Sequence, residues 1–192
     1  EISGQICEGI EKLIHKVDAF IVMDQVDIEE TGVITSQILE RLGQVQEQNP
    51  EKLIIADSRR GLQSYPNLTY KMNANELAAW KGCSKMSLDQ VKNESFQIAR
   101  KSGQPVFVSM ADQGITGVIP KGDQAHAASL PLRGPIDIVG AGDSVTANLC
   151  ASLAAGASLD EALQLSMRAA SCVIHQLGTT GTATRRDLLQ FA

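Results

Sequence analysis

The sequence predicts an α/β fold: a helix-covered, mostly parallel β-sheet forming a single domain over residues 1–192. Three observations carry this. Short apolar runs at 18–23, 52–57 and 105–110, bounded by polar turns, have the look of buried strands. Amphipathic stretches of ten or more residues separate them, so successive strands need helical crossovers and lie parallel. No repeat, low-complexity run or linker breaks the 192 residues, and 43% apolar content is enough for one sizeable core.

The elements follow in chain order. Residues 5–16 set Ile6, Ile10, Leu13 and Ile14 on one helical face. A strand at 18–23 leads into an acidic loop, Asp24 to Glu30. The spacing of Val33, Ile34, Ile38, Leu42 and Val45 predicts a helix over 31–48, ended by Asn49-Pro50. The strand at 52–57 ends on Asp57, with Arg59 in the loop beyond. A short strand at 68–72 and a short helix at 75–81, stopped by Gly82, come next, with Trp80 read as core. A helix over 87–102 closes at Gly103 and feeds the strand 105–110. Segments 115–119 and 124–129 read as a hairpin around Lys121-Gly122-Asp123, placed at the sheet edge. Beyond residue 143 only helices follow: 144–155, a helix from the capping box Ser158-Leu-Asp-Glu161 to about Gln176, and a short one at 184–190.

Bulk properties exclude some partners. With a net charge of −5, nucleic acid and anionic membrane surfaces have no electrostatic footing. No apolar run approaches the ~20 residues of a membrane span, and no signal peptide precedes the first helix. Cys7, Cys83, Cys150 and Cys172 are scattered, with Cys150 and Cys172 inside apolar helical patterns, which predicts buried reduced thiols and a cytoplasmic protein. His15, His126 and His175 show no metal-ligand spacing.

The chemistry concentrates in Asp137-Ile-Val-Gly-Ala-Gly-Asp-Ser144. Gly140 and Gly142 let backbone approach a ligand closely, and the helix that follows aims free N–H groups and its positive dipole end at it. That is a recipe for an anion site. The P-loop is excluded because Asp143, not Lys, follows Gly142; the dinucleotide fingerprint fails because Val145 stands at its third glycine. A methyltransferase-type turn would need further strands after it. Asp143 at the helix mouth is either a proton acceptor or a helix cap.

Asp137-x-x-Gly-Ala-Gly-Asp-Ser144 resembles the signature of the ribokinase-like (PfkB) carbohydrate kinases. Other stretches agree in order: Asn73-Ala-Asn-Glu76 is similar to the family's Asn-x-x-Glu motif, Val106 to Gly114 to the strand and turn under the nucleotide, and Ala169 to Gly181 to the helix and loop beside the adenine. The ending Leu177-Gly-Thr-Thr-Gly-Thr182, with Ala56-Asp-Ser-Arg59, looks most like the heptose-phosphate kinase branch.

The resemblance implies ATP-dependent phosphorylation of a sugar or sugar-phosphate hydroxyl. It makes Asp143 the general base and the N–H groups at Gly140, Ala141, Gly142 and Asp143 the anion hole. It sets Asn73 and Glu76 on Mg2+ through water, Asp137 at a monovalent-cation loop that admits K+, and Ser109, Gly114, His175, Gly178 and Gly181 along the nucleotide. It admits a homodimer. It also implies that the family's first half, with opening strands, lid and most sugar contacts, has no counterpart in these residues. Each residue has a plainer reading: Asn73 as a helix cap, Glu76 as a first-turn acid, His175 as a packed helix histidine, Asp57 and Arg59 as salt-bridged loop residues. Ile138 replaces a frequent Thr, Ala111 a frequent Gly, and the loop after the first strand lacks the glycine and lysine of heptose-kinase relatives. The alternative function is a nucleotide-binding or regulatory module that does not turn over.

Overall fold

The computed structural model describes residues 1–190. Its six strands are β1 (Ala19–Asp24), β2 (Leu53–Ser58), β3 (Thr69–Asn73), β4 (Val106–Ser109), β5 (Ile115–Val118) and β6 (Gln124–Ala127). They form one sheet in sequence order: β1 to β4 are parallel, and the β5–β6 hairpin adds antiparallel at the edge. The helices are α1 (Ile2–Leu13), α2 (Ser36–Gln48), α3 (Ala74–Trp80), α4 (Leu88–Ser102), α5 (Ala141–Ala154), α6 (Leu159–Ile174) and α7 (Arg185–Leu189). The expected helix-covered, mostly parallel sheet with its edge hairpin is therefore present. No helix among the described residues is long and apolar enough to cross a membrane.

The strands alternate between two cores, because successive side chains point to opposite faces. Ile54 and Ala56 of β2, Tyr70 and Met72 of β3, and Val106 and Val108 of β4 face α1 to α4. Ile55 and Phe107 face the other way, onto Val145 and Leu149 of α5 and Leu163 and Met167 of α6. This parity decides which polar residues at the strand ends meet α5. Asp57 and Lys71 fall on the α5 face, whereas Asp24 and Ser58 fall on the α2 face.

Four local expectations change. The α2 helix begins at Ser36, not at residue 31, because the Glu30 carboxylate accepts the Ser36 N–H at 2.7 Å and so caps the helix from outside. Those Ser36 bonds hold the Glu30 carboxyl below its ordinary range. Val33 thus lies outside the helix and is 63% exposed, while Ile34, Ile38, Leu42 and Val45 are buried as the stripe requires. On α1, Leu13 turns outward and Ile14, at the helix end, takes the buried place.

Asp24 is no part of an acidic loop. It ends β1 fully buried, and its carboxylate accepts Arg60 Nε at 2.9 Å, Arg60 Nη2 at 2.6 Å and the Tyr65 hydroxyl at 2.8 Å. Removing one partner of such a buried pair typically costs about 3–5 kcal/mol. Finally, α5 begins at Ala141 rather than Ser144, which puts Ala141, Gly142 and Asp143 inside its first turn. Trp80 is half-buried and tilted against Tyr70, with ring centroids 6.0 Å apart. Cys150 and Cys172 are buried free thiols, as expected, whereas Cys7 is half-buried and Cys83, just past the end of α3, is exposed.

Candidate active site

The C-terminal ends of β2, β3 and β4 and the N-terminus of α5 converge, as ligand sites in open α/β sheets do. Gly140 is the N-cap of α5 and holds a left-handed φ of 80°. A side chain there is excluded twice over: a Cβ would lie 2.4 Å from the Thr180 carbonyl oxygen. Gly140 is therefore required by the loop packed on it. Within the first turn, the Ala141 N–H bonds the Ile138 carbonyl at 3.2 Å. The N–H groups of Gly142 and Asp143 carry no hydrogen bond among the described residues and open to solvent with Asp143 itself. The Asp143 carboxylate is exposed and makes no hydrogen bond or ion pair among the described residues, so it does not cap its helix.

Beneath this turn lies a buried polar chain. Lys71 Nζ donates to Asp57 Oδ2 at 2.7 Å, with side-chain exposures of 6% and 14%. The Thr146 hydroxyl on α5 lies 3.0 Å from the same Asp57 oxygen and 3.1 Å from the Gly142 carbonyl. Asp57 thus ties β2 and β3 to the helix that bears Asp143, while Arg59 is exposed and its neighbour Arg60 belongs to the Asp24 cluster.

Asn73 and Glu76 form a reciprocal capping box at α3: Asn73 Oδ1 accepts the N–H groups of Asn75 and Glu76 at 2.9 Å each, and Glu76 Oε2 accepts the Asn73 N–H at 2.7 Å. The plainer reading of both residues is thus realised, and among the described residues it leaves Asn73 Nδ2 and Glu76 Oε1 without a hydrogen bond. Burial pushes the Glu76 carboxyl up; the Asn73 N–H opposes this, Asp57 adds to it and Lys71 opposes it. Ser109 pairs with Asn73 across β3–β4 and donates a long 3.5 Å bond to the Met72 carbonyl.

Gly114 is buried with φ 91°, and a Cβ would meet the Ala127 carbonyl oxygen at 2.0 Å, so the close approach that demands glycine is to β6. Ala111, where a glycine resemblance fails, nonetheless holds a left-handed φ of 49°.

The loops after β6 and α6 are stitched together. His175 donates from Nδ1 to the Ser171 carbonyl at 2.7 Å and accepts the Arg133 N–H at Nε2 at 2.9 Å, which fixes one neutral tautomer. Asp137 accepts the N–H groups of Val139 at 3.0 Å and Gly178 at 3.2 Å. Gln176 clasps Thr182 through its Oε1 at 3.0 Å and Nε2 at 2.6 Å, a role with no sequence signal beyond a polar residue at a helix end. Gly178 and Gly181 take the left-handed conformation in this loop.

A profile described as pfkB family carbohydrate kinase matches residues 17–185. The chain belongs to that family. Among curated relatives, the bifunctional protein HldE of Bradyrhizobium diazoefficiens is 27% identical over all of this chain and 39% of its own length. The HldE of Paramagnetospirillum magneticum is 29% identical over 93% of this chain and 36% of its length.

Among solved structures, Arabidopsis thaliana ribokinase complexed with ribose and ATP superposes with a TM-score of 0.76 at 20% identity, covering 93% of this chain and 57% of that one. Escherichia coli phosphofructokinase-2 in complex with potassium gives 0.73 at 23% identity, covering 96% and 60%. The fold is thus ribokinase-like. The chain spans about two fifths of the HldE relatives and under two thirds of these kinases.

The pfkB reading brings two ions, and both can be set against the residues present. Glu76 suits a hydrated Mg2+: its Oε2 is held by the Asn73 N–H, and among the described residues its Oε1 makes no hydrogen bond. Among the described residues no three acidic, His or Cys side chains gather as a direct metal cage, which suits an ion held largely by water and phosphate. Asp137 spends one bond per oxygen on N–H groups, and each oxygen keeps a lone pair for a monovalent cation.

Proposed function

We propose that this chain carries the nucleotide and catalytic part of a kinase that phosphorylates a sugar or sugar-phosphate hydroxyl with ATP. The observation that carries the reading is the first turn of α5. There an unengaged Asp143 carboxylate sits beside two unbonded N–H groups, of Gly142 and Asp143, at a helix N-terminus. A free carboxylate can take the hydroxyl proton, and the N–H pair can hold the charge of the transferring phosphoryl. A positioned base is worth roughly 10²–10⁴ in rate, and the phosphoryl-transfer barrier is otherwise met by positioning and charge.

In this reading Glu76 and Asn73 hold Mg2+ through water, and the ion, when bound, neutralises phosphate charge. Asp137 borders a monovalent-cation site. Ser109 and Gly114 floor the nucleotide site, while the clasped loop bearing Gly178 and Gly181, with His175 behind it, borders the adenine. His175 acts by holding the 133–137 loop, since both ring nitrogens are already bonded.

A second reading, a module that binds nucleotide without transfer, draws on Ile138, 72% exposed where the family often has Thr. The test is transfer of the ATP γ-phosphoryl by the full-length protein across a panel of sugars and sugar phosphates with Mg2+. Phosphorylation of at least one acceptor is expected. Nucleotide binding with no transfer to any of them would favour the second reading.

A further inference from the structure

We propose that Gln176 is a positioning residue of the nucleotide site: its clasp on Thr182 holds the 177–181 loop in a form ready for the nucleotide, against the first turn of α5. The inference rests on the kinase reading above, which borders the nucleotide with this loop. It goes beyond that reading, no part of which requires a glutamine just past the end of α6.

The loop has little else to hold it. Leu177 to Thr180 are exposed, and Gly178 and Gly181 hold left-handed φ values of 71° and 61°. Among the described residues the Gly178 N–H has a partner in Asp137, while the N–H groups of Thr179, Thr180 and Gly181 have none. An exposed backbone with few bonds offsets little of the entropy lost on fixing it, so its order must come from its ends.

Gln176 supplies the closing end. Its Oε1 accepts the Thr182 N–H at 3.0 Å, and its Nε2 donates to the Thr182 carbonyl at 2.6 Å and to the Cys172 carbonyl at 3.3 Å. One side chain thus meets both backbone groups of Thr182, as a neighbouring strand would, and anchors them to the last turn of α6.

From Thr182 the constraint runs back to Thr180, whose carbonyl oxygen packs on Gly140: a Cβ there would come within 2.4 Å of it. Gly140 is the N-cap of α5 and adjoins the turn that bears the open N–H groups of Gly142 and Asp143. Gln176 therefore fixes the loop at the base end of the nucleotide against the turn at its phosphate end. With the clasp cut, the loop samples other forms, and nucleotide binding must supply the cost of ordering it. Once nucleotide is bound the loop is ordered in either case, so affinity bears the loss and the transfer step does not.

The test uses Gln176→Met in the full-length protein. Methionine keeps the length and packing of the side chain and removes its hydrogen bonds; the site is half-buried past a helix end, so the core stays intact. The experiment reads the dissociation constant for ADP, KM for ATP, kcat, the denaturant midpoint, and hydrogen exchange at Gly178 with and without ADP. The ADP dissociation constant and KM for ATP should rise by roughly tenfold, with kcat at saturating ATP little changed. Exchange at Gly178 should be faster than in the parent when the protein is free and slow again when ADP is bound.

Parental ADP affinity and parental KM in Gln176→Met overturn the proposal, whether or not the midpoint falls, because the clasp then serves stability alone. A loss confined to kcat overturns it as well. If the parent binds ADP but transfers to no acceptor, the kinase reading falls, and the ADP affinity of the variant still decides the role of Gln176. A parent that binds no ADP overturns both.

Discussion

The Asp137 carboxylate accepts the Gly178 N–H at 3.2 Å, joining two loops whose residues stand 41 apart in sequence. Its other oxygen accepts the Val139 N–H at 3.0 Å, and its own N–H bonds the Ile174 carbonyl at 2.8 Å. One side chain thereby fixes the entry to the α5 turn against the end of α6. Asp137→Ala should speed hydrogen exchange at Gly178 and cost roughly 0.5–1.5 kcal/mol for each lost bond. Asp137→Asn, which keeps an acceptor, should fall between. Unchanged exchange at Gly178 in Asp137→Ala would show that the loops are held by other means.

Gly140 serves the same junction from the opposite side. A methyl group there meets the Thr180 carbonyl oxygen at 2.4 Å, and the residue already holds φ 80°. Gly140→Ala must both adopt a strained backbone and push the 178–181 loop away, a penalty on the order of 1–3 kcal/mol. Denaturant midpoints check this. A variant as stable as the parent, with an unmoved loop, is incompatible with the packing described.

These features divide by range. Capping boxes are written locally: Ser158 with Glu161 forms as expected, and Asn73 with Glu76, also three residues apart, joins the expected cap and first-turn acid into a full box. The apolar periodicity of β2 and β4 and the stripe of α2 likewise report burial directly, so the parallel strands, their helix cover and the edge hairpin are legible, whereas the order of the strands is not. What stayed hidden depends on contacts between distant segments. Thr146 meets Asp57 across 89 residues, and Asp24 meets Arg60 across 36. Nothing near Asp24 marks it as buried, because acids before a loop are ordinarily solvated. The start of α2 is hidden for a related reason: Val33 fits the stripe, but Glu30 caps Ser36 and the helix begins there. Lys71 sits inside the Asn-x-x-Glu neighbourhood, yet only strand parity turns it toward α5.

Two buried tyrosines set an alkaline limit on stability. Burial pushes the Tyr70 phenol up to about 12, and burial likewise raises Tyr65, whose hydroxyl donates to Asp24. An unfolded tyrosine ionises near 10, so between about pH 10 and 12 the native chain keeps a proton that the unfolded chain has lost. Stability present below pH 10 is therefore lost as pH rises through that window, by roughly 2–3 kcal/mol for Tyr70 alone. Urea midpoints against pH, followed with tyrosinate absorbance, measure it. Tyr70→Phe should flatten the fall; an equally steep fall in that variant would assign it to other groups.

The most direct measurement is the transfer rate of Asp143→Asn in the full-length protein, with nucleotide affinity measured beside it. The substitution keeps the first turn of α5 and its open N–H groups and removes only the proton acceptor. Phosphoryl transfer is predicted to fall by roughly 10²–10⁴-fold with nucleotide affinity preserved. Transfer at the parental rate would contradict the assignment of Asp143 as the base on which the account rests.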